Sequence, residues 1–310
     1  MFDSMSVGEF RRRRVRDLSF VWLEITGKCQ LACEHCYADS GASGTDGVMT
    51  LEDWSSVIDQ AAGLGTSMVQ FIGGEPTLHR GLPDLVGHAL GRRLQVEVFS
   101  NLVHVSPQLW DVFAQPGVQL ATSYYADGAD QHESITKGRG SYTRTKANIA
   151  EAVRRSIPLR VGLIDMSDGQ RVEGARAELA ALGVTGEVRV DRLRQVGRGV
   201  RTSSPDLSQL CGHCGRGKVA VASDGSVWPC VFSRWLPVGN VRHDSLTDIL
   251  TGPPMAETSM RLAAQFGPRL PEGAVCVPRM CDPQCGPSCG PACEPMNNCT
   301  PVGACVPTEY

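Results

Sequence analysis

The chain has 310 residues, 42% of them hydrophobic, and 30 Lys+Arg against 33 Asp+Glu give it a formal charge of −3. Such a chain can bury a full core, which excludes disordered and fibrous classes, and its balanced charge lacks the basic footprint of a nucleic-acid binder. No apolar run reaches the ~18 residues of a membrane span, and no apolar stretch follows the basic N-terminus as in a secretory signal, so a cytoplasmic protein is expected.

Residues 1–18 read as a lead-in, in which the arginines at 11–14 are either solvated or in contact with an anionic group. Residues 19–25, SFVWLEI, predict a first buried strand. Thr50-Leu-Glu-Asp53 has the form of a capping box, and Trp54, Val57, Ile58, Ala61 and Ala62 then recur at helical spacing before Gly63 and Gly65. Met68–Ile72 predicts a second strand, 82–91 a helix, and the alternation of Leu94, Val96 and Val98 a third strand. Ser106-Pro107 opens another helix, and Val118–Ser123 is a fourth strand. A helix over 142–155, strand Leu159–Ile164, a helix near 170–182 and strand Glu187–Arg192 complete six βα-type units. That alternation predicts an α/β fold with a parallel sheet, a partial (β/α)6 barrel over 19–200, with reactive groups at the carboxyl ends of its strands.

Thirteen cysteines are far more than usual. In a reducing compartment, dense cysteines hold metal or do chemistry. They fall into two systems separated by a cysteine-free body. The first is Cys29-x3-Cys33-x2-Cys36-Tyr37, on the loop after the first strand. Three thiolates there can face one point, whereas zinc usually takes four ligands; four cysteines are also the rule for iron–sulfur clusters, so three leave one iron open to a small molecule.

Cys-x3-Cys-x2-Cys followed by an aromatic, after a first strand, resembles the radical S-adenosylmethionine (SAM) superfamily. The resemblance implies a [4Fe–4S] cluster on Cys29, Cys33 and Cys36 that binds SAM through its amino and carboxylate groups. It also implies one-electron cleavage to a 5′-deoxyadenosyl radical, abstraction of a substrate hydrogen atom, and an electron donor such as flavodoxin or ferredoxin. Gly73-Gly74-Glu75-Pro76 after the second strand resembles the family's GGEP motif. There, glycines admit close backbone approach and a carboxylate complements the methionine ammonium. Ser100 and Asn101 resemble the polar pair near the methionine carboxylate, Ser123 a ribose-contacting position, and Tyr37 a residue packing by the adenine.

The second system occupies 201–310. Cys211-x2-Cys214 precedes Gly225-x4-Cys230, and Lys218–Ala222 with Val227–Val231 read as a hairpin about an Asp224-Gly225 turn that brings Cys230 over Cys211 and Cys214. This resembles the start of a SPASM domain, the auxiliary-cluster extension of many radical SAM enzymes, as do Gly197-Arg198-Gly199 and Val238-Gly239-Asn240-Val241. The tail departs from that pattern: Cys276, Cys281, Cys285, Cys289, Cys293, Cys299 and Cys305 share only one x3 interval with it. Prolines at every fourth position exclude a helix there, and so apolar-poor a segment needs metal to fold. Ten cysteines suffice for two auxiliary [4Fe–4S] clusters with two to spare; one cluster, or a zinc site in place of one, are the alternatives.

The subgroup resemblance implies a peptide maturase acting on a ribosomally made precursor, by cross-linking, thioether formation, epimerisation or side-chain oxidation. With 28 residues before Cys29, a fused leader-binding domain is not expected, so a separate protein or the barrel rim would hold a leader. A small-molecule dehydrogenase, as for an aminocyclitol, is the alternative enzyme, and a zinc-binding module the alternative without catalysis. Asp165, at the end of the fifth sheet strand of the barrel, is the candidate acid–base group or else a cap. His132 and Glu133 in a loop either line the site or lie at the surface, Arg192, Arg194 and Arg198 near the sixth strand either neutralise cofactor or substrate carboxylates or are solvated, and Lys137-Gly-Arg-Gly140 reads as a mobile loop.

Overall fold

A computed structural model describes residues 18–166, 169–202 and 204–267; the N-terminal arginines and the cysteines from Cys276 to Cys305 lie outside them. Strands β1 (Phe20–Thr26), β2 (Met68–Gly73), β3 (Gln95–Phe99), β4 (Val118–Tyr124), β5 (Leu159–Asp165) and β6 (Val188–Arg192) pair in parallel in sequence order. Helices α1 (Leu51–Gly63), α2 (Leu82–Gly91), α3 (Pro107–Phe113), α4 (Ala129–Thr136), α5 (Ser141–Arg154) and α6 (Val172–Ala181) fall between them. The α/β fold with a parallel sheet is as the sequence predicts. Local chemistry sets the helix starts: Thr50 accepts from Asp53 N while Asp53 caps Thr50 N at 2.8 Å, and Ser106 accepts from Leu109 N.

Period-two alternation divides each strand between two environments. Val21, Leu23, Val69, Phe71, Val96, Val98, Leu120 and Val161 pack outward against the helices in the main core. The opposite face, with Phe20, Trp22 and Ile72, turns into the barrel. There a polar layer crosses four strands. Arg160 on β5 donates from Nε and Nη2 to both oxygens of Glu97 on β3, each at 2.7 Å. Gln119 on β4 donates to Glu97 at 2.7 Å, and Gln70 on β2 closes the layer.

Three features differ from the sequence reading. The segment with His132 and Glu133 is helix α4 rather than a loop, and His132, buried among Tyr124, Tyr125 and Tyr142, is no surface residue. The hairpin joins the barrel's own sheet, a pairing the sequence reading does not include: β7 (Lys218–Ala222) pairs in parallel with β1, so β8 (Ser226–Trp228) and β9 (Gly239–Asn240) extend that sheet. Finally, β8 stops at Trp228 because Pro229 has no N–H to continue the ladder. Helices α7 (Leu246–Thr251) and α8 (Pro253–Phe266) follow, and Leu262 of α8 joins the barrel-interior cluster. Among the described residues, no helix is long and apolar enough to cross a membrane.

Candidate functional site

Cys29, Cys33 and Cys36 line one cavity at the carboxyl end of the sheet, as expected for a loop following β1. Burial pushes the Cys29 thiol up to about 12 and raises Cys33 as well. Such sulfurs become thiolates when a metal takes the place of the proton. Donors already aim at them: Leu31 N lies 3.4 Å from Cys29 Sγ, Asn101 Nδ2 3.7 Å from the same sulfur, and Ser40 N 3.4 Å from Cys36 Sγ. N–H···S contacts of this kind support iron–sulfur ligation. Among the described residues, no set of three or more His, Cys, Asp or Glu side chains is spaced for a single metal ion.

The loop's shape is held from outside. Arg198 donates from Nε to Cys33 O at 2.9 Å and from Nη2 to Ser40 O at 2.6 Å, so this arginine clamps the loop rather than facing the cavity. Gly197, at φ +57°, has space for no Cβ: one would sit 2.4 Å from the carbonyl oxygens of Cys36 and Tyr37. Lys137 and the two glycines after it form the short link from α4 to α5. A Cβ on Gly138 would meet Leu31 of the cysteine loop at 2.3 Å, and Lys137 pairs with Glu34 at 3.2 Å.

The Gly73-Gly74-Glu75-Pro76 turn lies directly against that loop. Gly74 N donates to Thr26 O and Glu75 N to Lys28 O, both at 2.7 Å. A Cβ on Gly74 would be 2.2 Å from Lys28 O, so glycine is required here for backbone against backbone. Both glycines line the cavity; the Glu75 side chain does not. Its carboxylate is fully buried and accepts from Thr77 N, Thr77 Oγ1, Ser100 Oγ and Asn101 N at 2.7–3.1 Å. Glu75 thus couples the ends of β2 and β3. Ser100 spends its hydroxyl on that coupling, and of the predicted pair Asn101 is the one in the cavity.

The opposite wall holds Ser123, Tyr125, Ile164, Asp191, Arg192 and Arg194. Ile164 lines it while Asp165 does not; the Asp165 carbonyl accepts from Leu193 N at 3.1 Å. Tyr37 lines the cavity and meets Phe232 edge to face, with centroids 5.2 Å apart. His35, between the second and third cysteines, was not anticipated. Burial, with Arg198 and Arg201, lowers its pKa to about 4, and its Nε2 meets the Tyr125 hydroxyl at 3.2 Å. The signals for Tyr125 and Phe232 were their places two residues beyond Ser123 and Cys230, but which way they face is a tertiary matter.

In the second system, Cys214 and Cys230 are buried with sulfurs 3.1 Å apart, and Cys211 is close enough to perturb both. The Asp224-Gly225 turn forms as predicted: Gly225 has φ +85°, and Ser226 N donates to Asp224 Oδ1 at 2.9 Å.

Family comparison agrees with both cysteine systems. The profile of the radical SAM superfamily matches residues 23–176, and that of SPASM, an iron–sulfur cluster-binding domain, matches 211–286. The chain belongs to the radical SAM superfamily. Its cofactors are therefore [4Fe–4S] clusters and SAM, and the Cys29–Cys33–Cys36 loop fits the first of these. This radical SAM protein is 29% identical over 197 residues to PqqA peptide cyclase of Xanthomonas campestris, covering 61% of this chain and 52% of the relative. It is 24% identical over 263 residues to the sporulation killing factor maturation protein SkfB of Bacillus subtilis, covering 73% and 63%. The chain thus spans about half the length of the PqqA peptide cyclase it matches. Streptococcus suis SuiB bound to SAM shares the fold, with a TM-score of 0.65 at 13% identity over 83% of this chain and 75% of that one.

Proposed function

We propose that this radical SAM protein modifies a ribosomally made peptide, installing a cross-link, a thioether, an epimerised residue or an oxidised side chain. When bound, the cluster and SAM supply the 5′-deoxyadenosyl radical that removes a hydrogen atom from the substrate. The chain's own residues arrange that encounter. Arg198 and Gly197 fix the cysteine loop, and Gly73 and Gly74 present backbone to the methionine end. Glu75 holds Asn101 toward its carboxylate; Ser123 faces the ribose and Tyr37 the adenine. Cys211, Cys214 and Cys230, with cysteines of the tail, would hold auxiliary iron–sulfur, which would supply an acceptor for the second electron or an anchor for the substrate. Flavodoxin or ferredoxin is the expected electron donor, and a separate leader-binding protein a further partner.

The observation carrying the peptide reading is the pair of relatives whose names specify peptide cyclisation and killing-factor maturation. They support it together with an auxiliary domain that begins in the barrel's own sheet. The test is anaerobic iron and acid-labile sulfide on the reconstituted protein and on a Cys29/Cys33/Cys36→Ala variant. Three [4Fe–4S] clusters give about 12 iron per chain, falling to about 8 in the variant. About 8 falling to about 4 would mean one auxiliary cluster, and no fall would sink the radical reading. Mass spectrometry of candidate precursor peptides encoded beside the gene, incubated with SAM and reductant, then tests the substrate class. Mass losses of two hydrogens, or hydrogen–deuterium exchange without mass loss, support it.

A further inference from the structure

The cavity contains a recognition element that the cofactor residues leave unused. Arg194, just beyond β6, lines the cavity and is only 5% exposed. Its Nη1 donates to Gln209 O at 2.5 Å, and its guanidinium lies over the Phe232 ring at 5.5 Å, so the group is fixed from two sides. The other edge carries Nε and Nη2, whose N–H bonds run side by side, and neither finds a hydrogen-bond acceptor among the described residues. Asp191 Oδ2 forms a buried ion pair with Nη2 at 3.8 Å, a separation beyond hydrogen-bond range, so the pair leaves both N–H donors of that edge unmet. Buried donors without acceptors are costly and call for a partner. That edge is the geometry that grips a carboxylate with two parallel bonds, as Arg160 grips Glu97 in this same barrel.

Charge points the same way. Arg192 and Arg194 against Asp191 give this wall a net charge of +1, and burial together with the Arg194 charge depresses the Arg192 pKa, so an incoming anion relieves a like-charge conflict. In the function proposed above the methionine carboxylate of SAM lies at Asn101 beyond β3, with β4 and β5 between β3 and β6 in the sheet. The edge is therefore left for a second carboxylate to fill.

We propose that Arg194 binds a carboxylate of the substrate through its Nε–Nη2 edge, making an acidic group on the peptide a specificity determinant; this rests on the peptide reading above. The group is either an Asp or Glu side chain or a chain terminus, and three probes separate them: Ac-Ala-Glu-Ala-NH2, Ac-Ala-Gln-Ala-NH2 and Ac-Ala-Ala-Ala-OH. Binding of each to the reconstituted, SAM-loaded protein is measured anaerobically by calorimetry, in the wild type, R194Q and R194K. The expected result is at least tenfold tighter binding of the glutamate peptide, or of the free-acid peptide, than of the glutamine peptide. R194Q abolishes the preference, and R194K, which keeps the charge but loses the paired donors, retains part of it. The wild-type comparison needs no variant to fold. Equal affinity for all three peptides overturns the proposal, as does a preference that survives in R194Q. A loss of SAM affinity in R194Q with no peptide preference in the wild type assigns the edge to the cofactor and also overturns it. Failure of the radical reading shows separately, as wild-type protein that yields no 5′-deoxyadenosine from SAM.

Discussion

Arg234, which follows the auxiliary hairpin, donates from Nη1 to Glu24 Oε2 on β1 at 2.5 Å across 210 residues of sequence. The guanidinium also lies over the Trp228 ring, 4.3 Å from its centroid. This pair fastens the segment after β8 to the barrel interior. Burial raises the Glu24 pKa above the usual carboxylate range, and the Arg234 charge pulls against that rise without overcoming it.

Removing the arginine alone therefore leaves a buried acid with no counter-charge. Arg234→Met should cost about 3–5 kcal/mol, and the double variant Glu24→Gln/Arg234→Met should recover much of that loss. Because the folded pKa is raised, the Glu24 contribution is complete below its unfolded value of about 4.3 and is lost as pH rises through the folded value. Arg234→Met lifts the folded value further, so its deficit against wild type should be larger at pH 7.5 than at pH 5. Anaerobic urea unfolding at the two pH values measures it; an equal deficit would contradict the account.

Glu97 behaves in the opposite sense. Burial would raise it, but the Arg160 charge and hydrogen bonds from Arg160, Gln70 and Gln119 outweigh burial and hold its pKa below the usual range. Its contribution is present above about pH 4.3 and is lost as pH falls through the folded value. Glu97→Gln should destabilise by about 3–5 kcal/mol at neutral pH, because Arg160 is left without its carboxylate. The difference between variant and wild type should shrink on acidification, which paired unfolding curves against pH will show.

Gly197→Ala should damage the first cluster site specifically. Its φ of +57° costs an L-residue about 1–2 kcal/mol, and the added Cβ drives into the Cys36 carbonyl. Bound iron should fall by up to about 4 per chain, one cluster, with a lowered melting temperature. Gly87→Ala is the control: it lies within α2 with open space around its Cβ, so it should stabilise by about 0.5–1 kcal/mol and leave iron content unchanged.

Glu75→Gln tests whether this side chain acts as a scaffold. The amide keeps the shape but turns one acceptor into a donor, so either Thr77 N or Asn101 N loses its acceptor. A loss of about 1–3 kcal/mol in stability is expected. SAM affinity, measured by equilibrium dialysis on the reconstituted protein, should fall because Asn101 shifts. Unchanged stability with weaker SAM binding would instead indicate direct contact with the cofactor.

The barrel strands and most of their helices were legible because their signals are local. Thr50 and Asp53 cap one another three residues apart, Ser106 caps its own helix, and β1 to β6 alternate or run apolar over a few residues. Helix α4 was not legible, because a segment so short and polar has too few apolar positions to show a period; it is recognised only by His132 and Ile135 turning inward. The cysteine loop was found by spacing alone, since three thiols within one loop can converge without help from distant chain. Glu75 was found by the same means, yet its carboxylate serves Ser100 and Asn101 across the strand ends.

What the sequence determined by itself, then, was the βα order, the cysteine loop with its glycine turn, and through these the radical SAM superfamily, all written within spans of ten or so residues. Tertiary structure decided the rest. It set β7 beside β1, seated Arg234 on Glu24, turned Arg198 onto the cysteine loop and left one edge of Arg194 without a hydrogen-bond acceptor among the described residues. Those outcomes depend on which strands become neighbours and which face of each strand looks inward. Period-two geometry fixes the alternation of a strand's faces, but only packing against residues hundreds of positions away decides what each face meets.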